Sequence, residues 1–190
     1  MGLANWLTIL RILLIPVFVS LLVYRKPGPA LVVFAAAALT DLLDGWIARR
    51  QGSQSRLGAF LDPVADKLLL TASFVTLTYL RVLPFWIAAV VLSRDVILVV
   101  GTVLVYMLGA RVHPRPTWAG KAATFFQILT VLTGLGARYL HLPVVPRFML
   151  WLAAAFTVIS GLQYIVQGMR FLSQAPGEER EESREDAIIR

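Results

Sequence analysis

The chain has 190 residues, 58% apolar and 15% charged, with 18 basic residues, 11 acidic residues and no cysteine. This excludes an ordinary soluble domain and a disordered chain, which would be polar and highly charged, and it excludes disulfide and thiol chemistry. The formal charge of +7 is unevenly divided: residues 1–177 hold 15 basic and 5 acidic residues, while residues 178–190 hold 3 basic and 6 acidic ones. A basic, apolar body points to an anionic membrane surface. Nucleic-acid binding is not expected, because such a binder would carry a basic soluble face with interleaved polar residues.

A membrane span needs about 20 mostly apolar residues, and six stretches meet this requirement. The first covers about 4–24. It is read as a retained span and not a signal peptide: it has no basic leader, Arg11 interrupts its start, and no small-residue cleavage site precedes Tyr24-Arg25-Lys26. The second, about 30–48, ends at Arg49-Arg50-Gln51-Gly52. The third, about 63–81, starts at Pro63, which suits a first helical turn. The fourth, about 84–108, also starts at a proline and ends at Gly109. The fifth, about 118–140, follows the turn-rich Arg111–Pro116, and the sixth, about 147–172, follows His141-Leu142-Pro143. From Gln174 the chain is first Pro/Gly-led and then charge-dense, which predicts a frayed or solvated helix. The expected division is a membrane domain over 1–173 and a charged cytoplasmic tail over 174–190.

Basic residues orient the spans. With the N-terminus in the cytoplasm, 11 basic residues fall inside and 5 outside, and Arg11 and Arg94 lie within spans. The positive-inside rule favours this arrangement. The fold expected is therefore all-α: a polytopic membrane protein with six transmembrane helices and both termini cytoplasmic. Runs such as Ala35–Ala38 and Ala153–Ala155 are expected to let helices approach closely.

Only five acids lie in residues 1–177, and four of these fall within 26 positions. Asp41 and Asp44 are three apart and Asp62 and Asp66 four apart, so each pair shares a helical face. The connection from Arg49 to Leu61 folds the two helices into a hairpin and lets the pairs meet at the cytoplasmic side. Four facing carboxylates repel and are costly in apolar surroundings. A divalent cation relieves both problems, and hard oxygen ligands indicate Mg²⁺, Mn²⁺ or Ca²⁺ over zinc. Two other readings stand beside this one. The acids can face water, with Asp62 and Asp66 gaining from a helix dipole. They can also serve a carboxylate-based cation transporter, although that would prefer acids near the midplane.

Gly45, Ala48 and Gly58 are small residues near the carboxylates, where a flat ligand could lie against backbone; close helix packing explains each equally well. Arg94, followed by Asp95, is either half of an internal ion pair or a clamp for an acceptor or lipid phosphate. Lys121 is a second candidate for that phosphate, with snorkelling as its alternative. Arg111 and Arg115 are further candidates, with topology as theirs. Asn5, Thr8 and Arg11 form a polar stripe on the first helix, lining a cavity or only capping and anchoring.

The run Asp41-Leu42-Leu43-Asp44-Gly45-Trp46-Ile47-Ala48-Arg49 is followed by eight residues, Gly58, three residues, Asp62, three residues and Asp66. It resembles the signature of the CDP-alcohol phosphatidyltransferase family, D-x2-D-G-x2-A-R-x8-G-x3-D-x3-D, with every fixed position matched. The resemblance implies transfer of a phosphatidyl group from CDP-diacylglycerol to an alcohol, with release of CMP. It implies that Asp41, Asp44 and Asp62 hold Mg²⁺ or Mn²⁺, that Asp66 shares the metal and is the general base, and that Gly45, Ala48 and Gly58 line the cytidine site with Arg49 assisting. It also implies a homodimer in a bacterial inner (cell) membrane, with the site facing the cytoplasm. The Asn5–Arg11 opening, Asp62–Lys67 and Gly120-Lys121 look like members acting on glycerol-type acceptors. Glycerol-3-phosphate stands first among these, since the basic cluster Arg94, Arg111, Arg115 and Lys121 suits a phosphate-bearing acceptor. Phosphatidylglycerol, the acceptor of CMP-forming cardiolipin synthases, stands second. Ser93-Arg94-Asp95-Val96 is more similar to that branch, and the charge-free Ile97–Tyr106 departs from the first.

Overall fold

A computed structural model describes the backbone of residues 3–51, 56–107, 117–140 and 147–188. Side chains are described for Trp6, residues 8–40, 64–103, Met107, 117–140 and 147–169. Six α-helices account for the regular structure of the described residues: α1 (Leu3–Val23), α2 (Pro27–Gln51), α3 (Arg56–Tyr79), α4 (Phe85–Met107), α5 (Trp118–Tyr139) and α6 (Arg147–Ile188). The all-α architecture matches the expectation. Most boundaries do too, but α3 starts well before Pro63. Arg56, Leu57, Ala59 and Leu61 are ready helix formers, so the helix begins upstream and accommodates a proline at the cost of one backbone donor. Helix α6 continues past residue 172, in line with a helical tail, through a segment rich in helix-forming Glu and Arg.

The packing pairs close a ring in the order α1, α2, α5, α6, α4, α3, and α3 also touches α5 across it. The seams are uneven. Helix α3 packs broadly on α1, while its seam with α4 is much slighter. Aromatic pairs close three seams: Phe18 on Phe34 between α1 and α2, Trp86 on Trp151 between α4 and α6, and Phe126 stacked at 5.0 Å on Phe156 between α5 and α6. Phe18, Phe34, Phe74, Leu77, Ile87 and Leu135 are fully buried. Small residues let the helices approach: Ala37, Ala123 and Ala153 are also fully buried.

Two helices end in the same way. Arg25 and Arg81 both have φ near 56°, and the hydrogen bonds Lys26 N–H to Leu21 O and Val82 N–H to Leu77 O close Schellman turns after α1 and α3. A non-glycine residue in this left-handed region carries a steric cost.

The outside of the ring is apolar and part of its inside is charged. Val96, Val99, Val103 and Trp151 are exposed, whereas Arg11 and Arg94 are buried. Such a distribution suits an apolar surrounding medium. Among the described residues, Phe85–Val103 and Arg147–Met169 are long and apolar enough to cross a membrane, and Thr8–Val23 and Pro27–Thr40 are shorter apolar helical stretches.

Candidate active site

Helix α1 supplies the first polar group. Arg11 is 1% exposed, in a mostly apolar helix where buried Thr8 lies one turn before it on the same face. Its Nη1 donates to Asp66 Oδ1 on α3 at 2.6 Å. A charge-assisted bond of this length is strong and directional. The Asp66 side chain keeps 36% exposure, so it is held on one side and accessible on another.

The next residue, Lys67, faces a different helix. Consecutive residues on an α-helix point about 100° apart, since a turn holds about 3.6 residues. Asp66 therefore meets α1, while Lys67 reaches α4, where its Nζ donates to Asp95 Oδ1. The same oxygen accepts from Arg94 Nη1 at 2.9 Å. Arg94 Nη2 donates to Ser160 Oγ on α6 at 3.1 Å. One carboxylate thus sits between two cations, one of them tied to a further helix. Arg94 Nε and Asp95 Oδ2 are buried without a partner among the described residues.

Glycine makes room for this cluster. A Cβ at Gly120 would stand 3.6 Å from Arg94 Nη2 and 3.1 Å from Thr117 Oγ1, and one at Gly161 would stand 3.7 Å from Arg94 Cγ. The start of α5 thus lies beside the Arg94 guanidinium. Thr117 caps α5: its backbone is extended and its Oγ1 accepts from Gly120 N–H at 3.0 Å. Lys121, next in sequence, is exposed. Further along α5 and α6, buried Gln127 donates through Nε2 to Thr157 Oγ1 at 3.0 Å.

The structure thus gathers Arg11, Asp66, Lys67, Arg94, Asp95, Ser160 and the start of α5 into one polar layer. Of the expected carboxylates, Asp66 is described within it. Asp41 and Asp44 lie on α2 and Asp62 on α3, but their side chains lie outside the described residues, as do those of Gly45, Ala48, Arg49 and Gly58. Arg111 and Arg115 lie outside the described residues altogether. Accordingly no group of three or more metal-binding side chains is found among the described residues. Asp66, whose side chain alone of the four motif carboxylates is described, keeps 36% exposure, which leaves an oxygen open to a hard divalent cation. Of the two readings open for Arg94, both of its Nη groups are engaged by protein partners.

Two contacts went unread in the sequence, Arg11 with Asp66 and Lys67 with Asp95. The available signal was Arg11 itself, since a charge within an apolar span requires a partner. Lys67 counts among the 11 basic residues on the cytoplasmic side, so its sequence position signals orientation and not a partner.

Comparison with known proteins agrees with the geometry. The sequence profile of the CDP-alcohol phosphatidyltransferase family matches residues 1–159. A Mycobacterium tuberculosis protein named "Probable phosphatidylglycerophosphate synthase" is 36% identical over 177 residues, covering 89% of this chain and 82% of that protein. Two proteins named CDP-diacylglycerol–glycerol-3-phosphate 3-phosphatidyltransferase are also similar. The one from Haemophilus influenzae is 36% identical, over 84% of this chain and 89% of its own length. The one from Escherichia coli is 34% identical, over 84% of this chain and 90% of its own length. The chain belongs to the CDP-alcohol phosphatidyltransferase family and is an enzyme of that class.

Proposed function

We propose that this enzyme transfers the phosphatidyl group of CDP-diacylglycerol to glycerol-3-phosphate, forming phosphatidylglycerophosphate and releasing CMP. The observation that carries the site is Asp66, the last carboxylate of the family motif, held at 2.6 Å by a buried Arg11 with part of its side chain accessible. The choice of acceptor is supported by the names of the relatives, which specify glycerol-3-phosphate in two cases.

Asp66 is the general base. It takes the proton of the acceptor hydroxyl; the freed oxygen attacks the lipid-side phosphorus, and the bond from that phosphorus to the CMP oxygen breaks. Arg11 keeps the carboxylate oriented, which is the geometric condition for such a base. Asp41, Asp44, Asp62 and Asp66 would hold Mg²⁺ or Mn²⁺, which when bound neutralises charge on the diphosphate and the leaving CMP. Gly45, Ala48 and Gly58 would line the cytidine site, with Arg49 beside the nucleotide. Lys121, Arg111 and Arg115 meet the acceptor phosphate, and Arg94, with both Nη groups engaged, adds its field. In this reading the six helices cross the bacterial inner membrane with both termini and the site on the cytoplasmic side, and the protein acts as a homodimer. The lipid tails stay in the bilayer while the nucleotide faces water.

Phosphatidylglycerol is the second reading, favoured by Ser93-Arg94-Asp95-Val96 and the charge-free Ile97–Tyr106. An acceptor panel separates the two. Purified protein with CDP-diacylglycerol, Mg²⁺ and glycerol-3-phosphate, phosphatidylglycerol, inositol phosphate or serine is assayed for CMP and lipid product. The expected result is phosphatidylglycerophosphate from glycerol-3-phosphate alone. Cardiolipin from phosphatidylglycerol would establish the second reading. Metal flux in proteoliposomes without CMP release from any acceptor would overturn both in favour of a transporter.

A further inference from the structure

We infer that Asp95 is a positioning residue for phosphatidyl transfer: by accepting from Lys67 across the α3–α4 seam, it fixes the rotational setting of the α3 turn that carries Asp66. The inference rests on the assignment of Asp66 as the base.

Asp66 and Lys67 are consecutive, and each is ion-paired to a different neighbour, Asp66 to α1 and Lys67 to α4. Any rotation of α3 about its axis that keeps one pair strains the other, so the two together set the angle. The α1 side has broad packing to help it. The α4 side is the slight seam, so the Lys67–Asp95 pair is a main tie there.

The anchor itself is well held. The Asp95 side chain is 12% exposed and also accepts from Arg94, whose own side chain is 6% exposed. Arg94 is in turn bonded to Ser160 and hemmed by Gly120 and Gly161. Asp95 Oδ1 therefore ties α3 to an anchor that is itself held between α4 and α6. A helix with its side chains is about 10–12 Å across, so a turn of about 20° moves a carboxylate at its rim by about 2 Å. Misplacement of about 1 Å can cost a reaction about a hundredfold.

A simpler role for Asp95 is to temper the positive field of Lys67 and Arg94. The two roles predict opposite kinetics. Loss of field tempering would draw an anionic acceptor more tightly and leave kcat alone. Loss of positioning lowers kcat and leaves the KM for the CDP-lipid alone.

The test uses full-length enzyme with CDP-diacylglycerol and Mg²⁺, on whichever panel acceptor the wild type uses. Asp95→Asn and Lys67→Met are each expected to lower kcat at least about tenfold, with the KM for CDP-diacylglycerol within about threefold of wild type. The double variant is expected to be no slower than the worse single one, because both remove the same tie. Asp95→Glu, which keeps the carboxylate, is expected to recover part of the rate. Additive losses in the double variant, or a wild-type kcat with a lowered acceptor KM in Asp95→Asn, would overturn the inference. If Asp95→Asn does not fold, Lys67→Met and Lys67→Arg decide it: a reduced kcat recovered by arginine supports positioning, and an unchanged kcat in Lys67→Met refutes it. A wild type active with phosphatidylglycerol but not with glycerol-3-phosphate would break the acceptor reading alone, since the variant ratios are then measured with phosphatidylglycerol.

Discussion

Two stretches of α3 show how differently one helix can be held. Phe74 and Leu77 are fully buried, and Leu77 lies close to where a Cβ on Gly134 of α5 would stand. About two turns earlier, Asp66 and Lys67 remain partly exposed and are ion-paired, Asp66 to Arg11 and Lys67 to Asp95. The apolar stretch is fixed by volume, through many small contacts of which no single one is directional. The charged stretch is fixed by a few directional bonds, each with a buried or nearly buried partner, Arg11 or Asp95. Volume is a good way to keep a ring closed. Direction is what a base needs.

This contrast predicts that damage at the two stretches will read out differently. The largest effect should come from Asp66→Asn. The amide oxygen can still accept from Arg11, so the fold and nucleotide binding should persist, while CMP release should fall by about a thousandfold, within the range for loss of a general base. Paired measurements of CMP release and CDP binding would check this, and loss of the fold would erase the contrast by making Asp66 structural. Next in size is Phe74→Ala. It should cost about 3–4 kcal/mol of stability by opening a cavity, seen as a lower unfolding temperature in detergent, with kcat per folded molecule close to wild type. A kcat loss without a stability loss there would show that the apolar stretch also aims the base. The smallest effect is expected at Arg81→Gly, where glycine relieves the left-handed turn after α3. A gain of about 0.5–1 kcal/mol, with unchanged activity, would confirm that this end of α3 is remote from the chemistry.

The motif was legible because its chemistry lies within 26 consecutive positions, and i, i+3 and i, i+4 spacings fix which carboxylates share a face. The helices were legible from apolar length. The start of α3 was not, because Pro63 resembles a helix opening and the helix formers before it are short of an apolar run. The Arg11–Asp66 contact spans 55 residues and depends on α1 packing against α3, which no periodicity states. Lys67 looked like one more inward-facing cation until the ring order put α4 beside it. The conformations of Arg25 and Arg81 were hidden for a simpler reason: glycine would have announced a left-handed turn, and arginine does not.

The buried Arg11 also bears on how the protein is made. In the membrane reading, α1 is synthesised before α3 and meets the bilayer with an arginine near its middle, which adds about 2.5–3.5 kcal/mol to the cost of insertion. The carboxylate that balances it arrives 55 residues later, on α3. Until then α1 is a mostly apolar helix that carries Arg11 without Asp66 beside it. The pair that orients the base in the finished enzyme therefore forms only after α3 has been made.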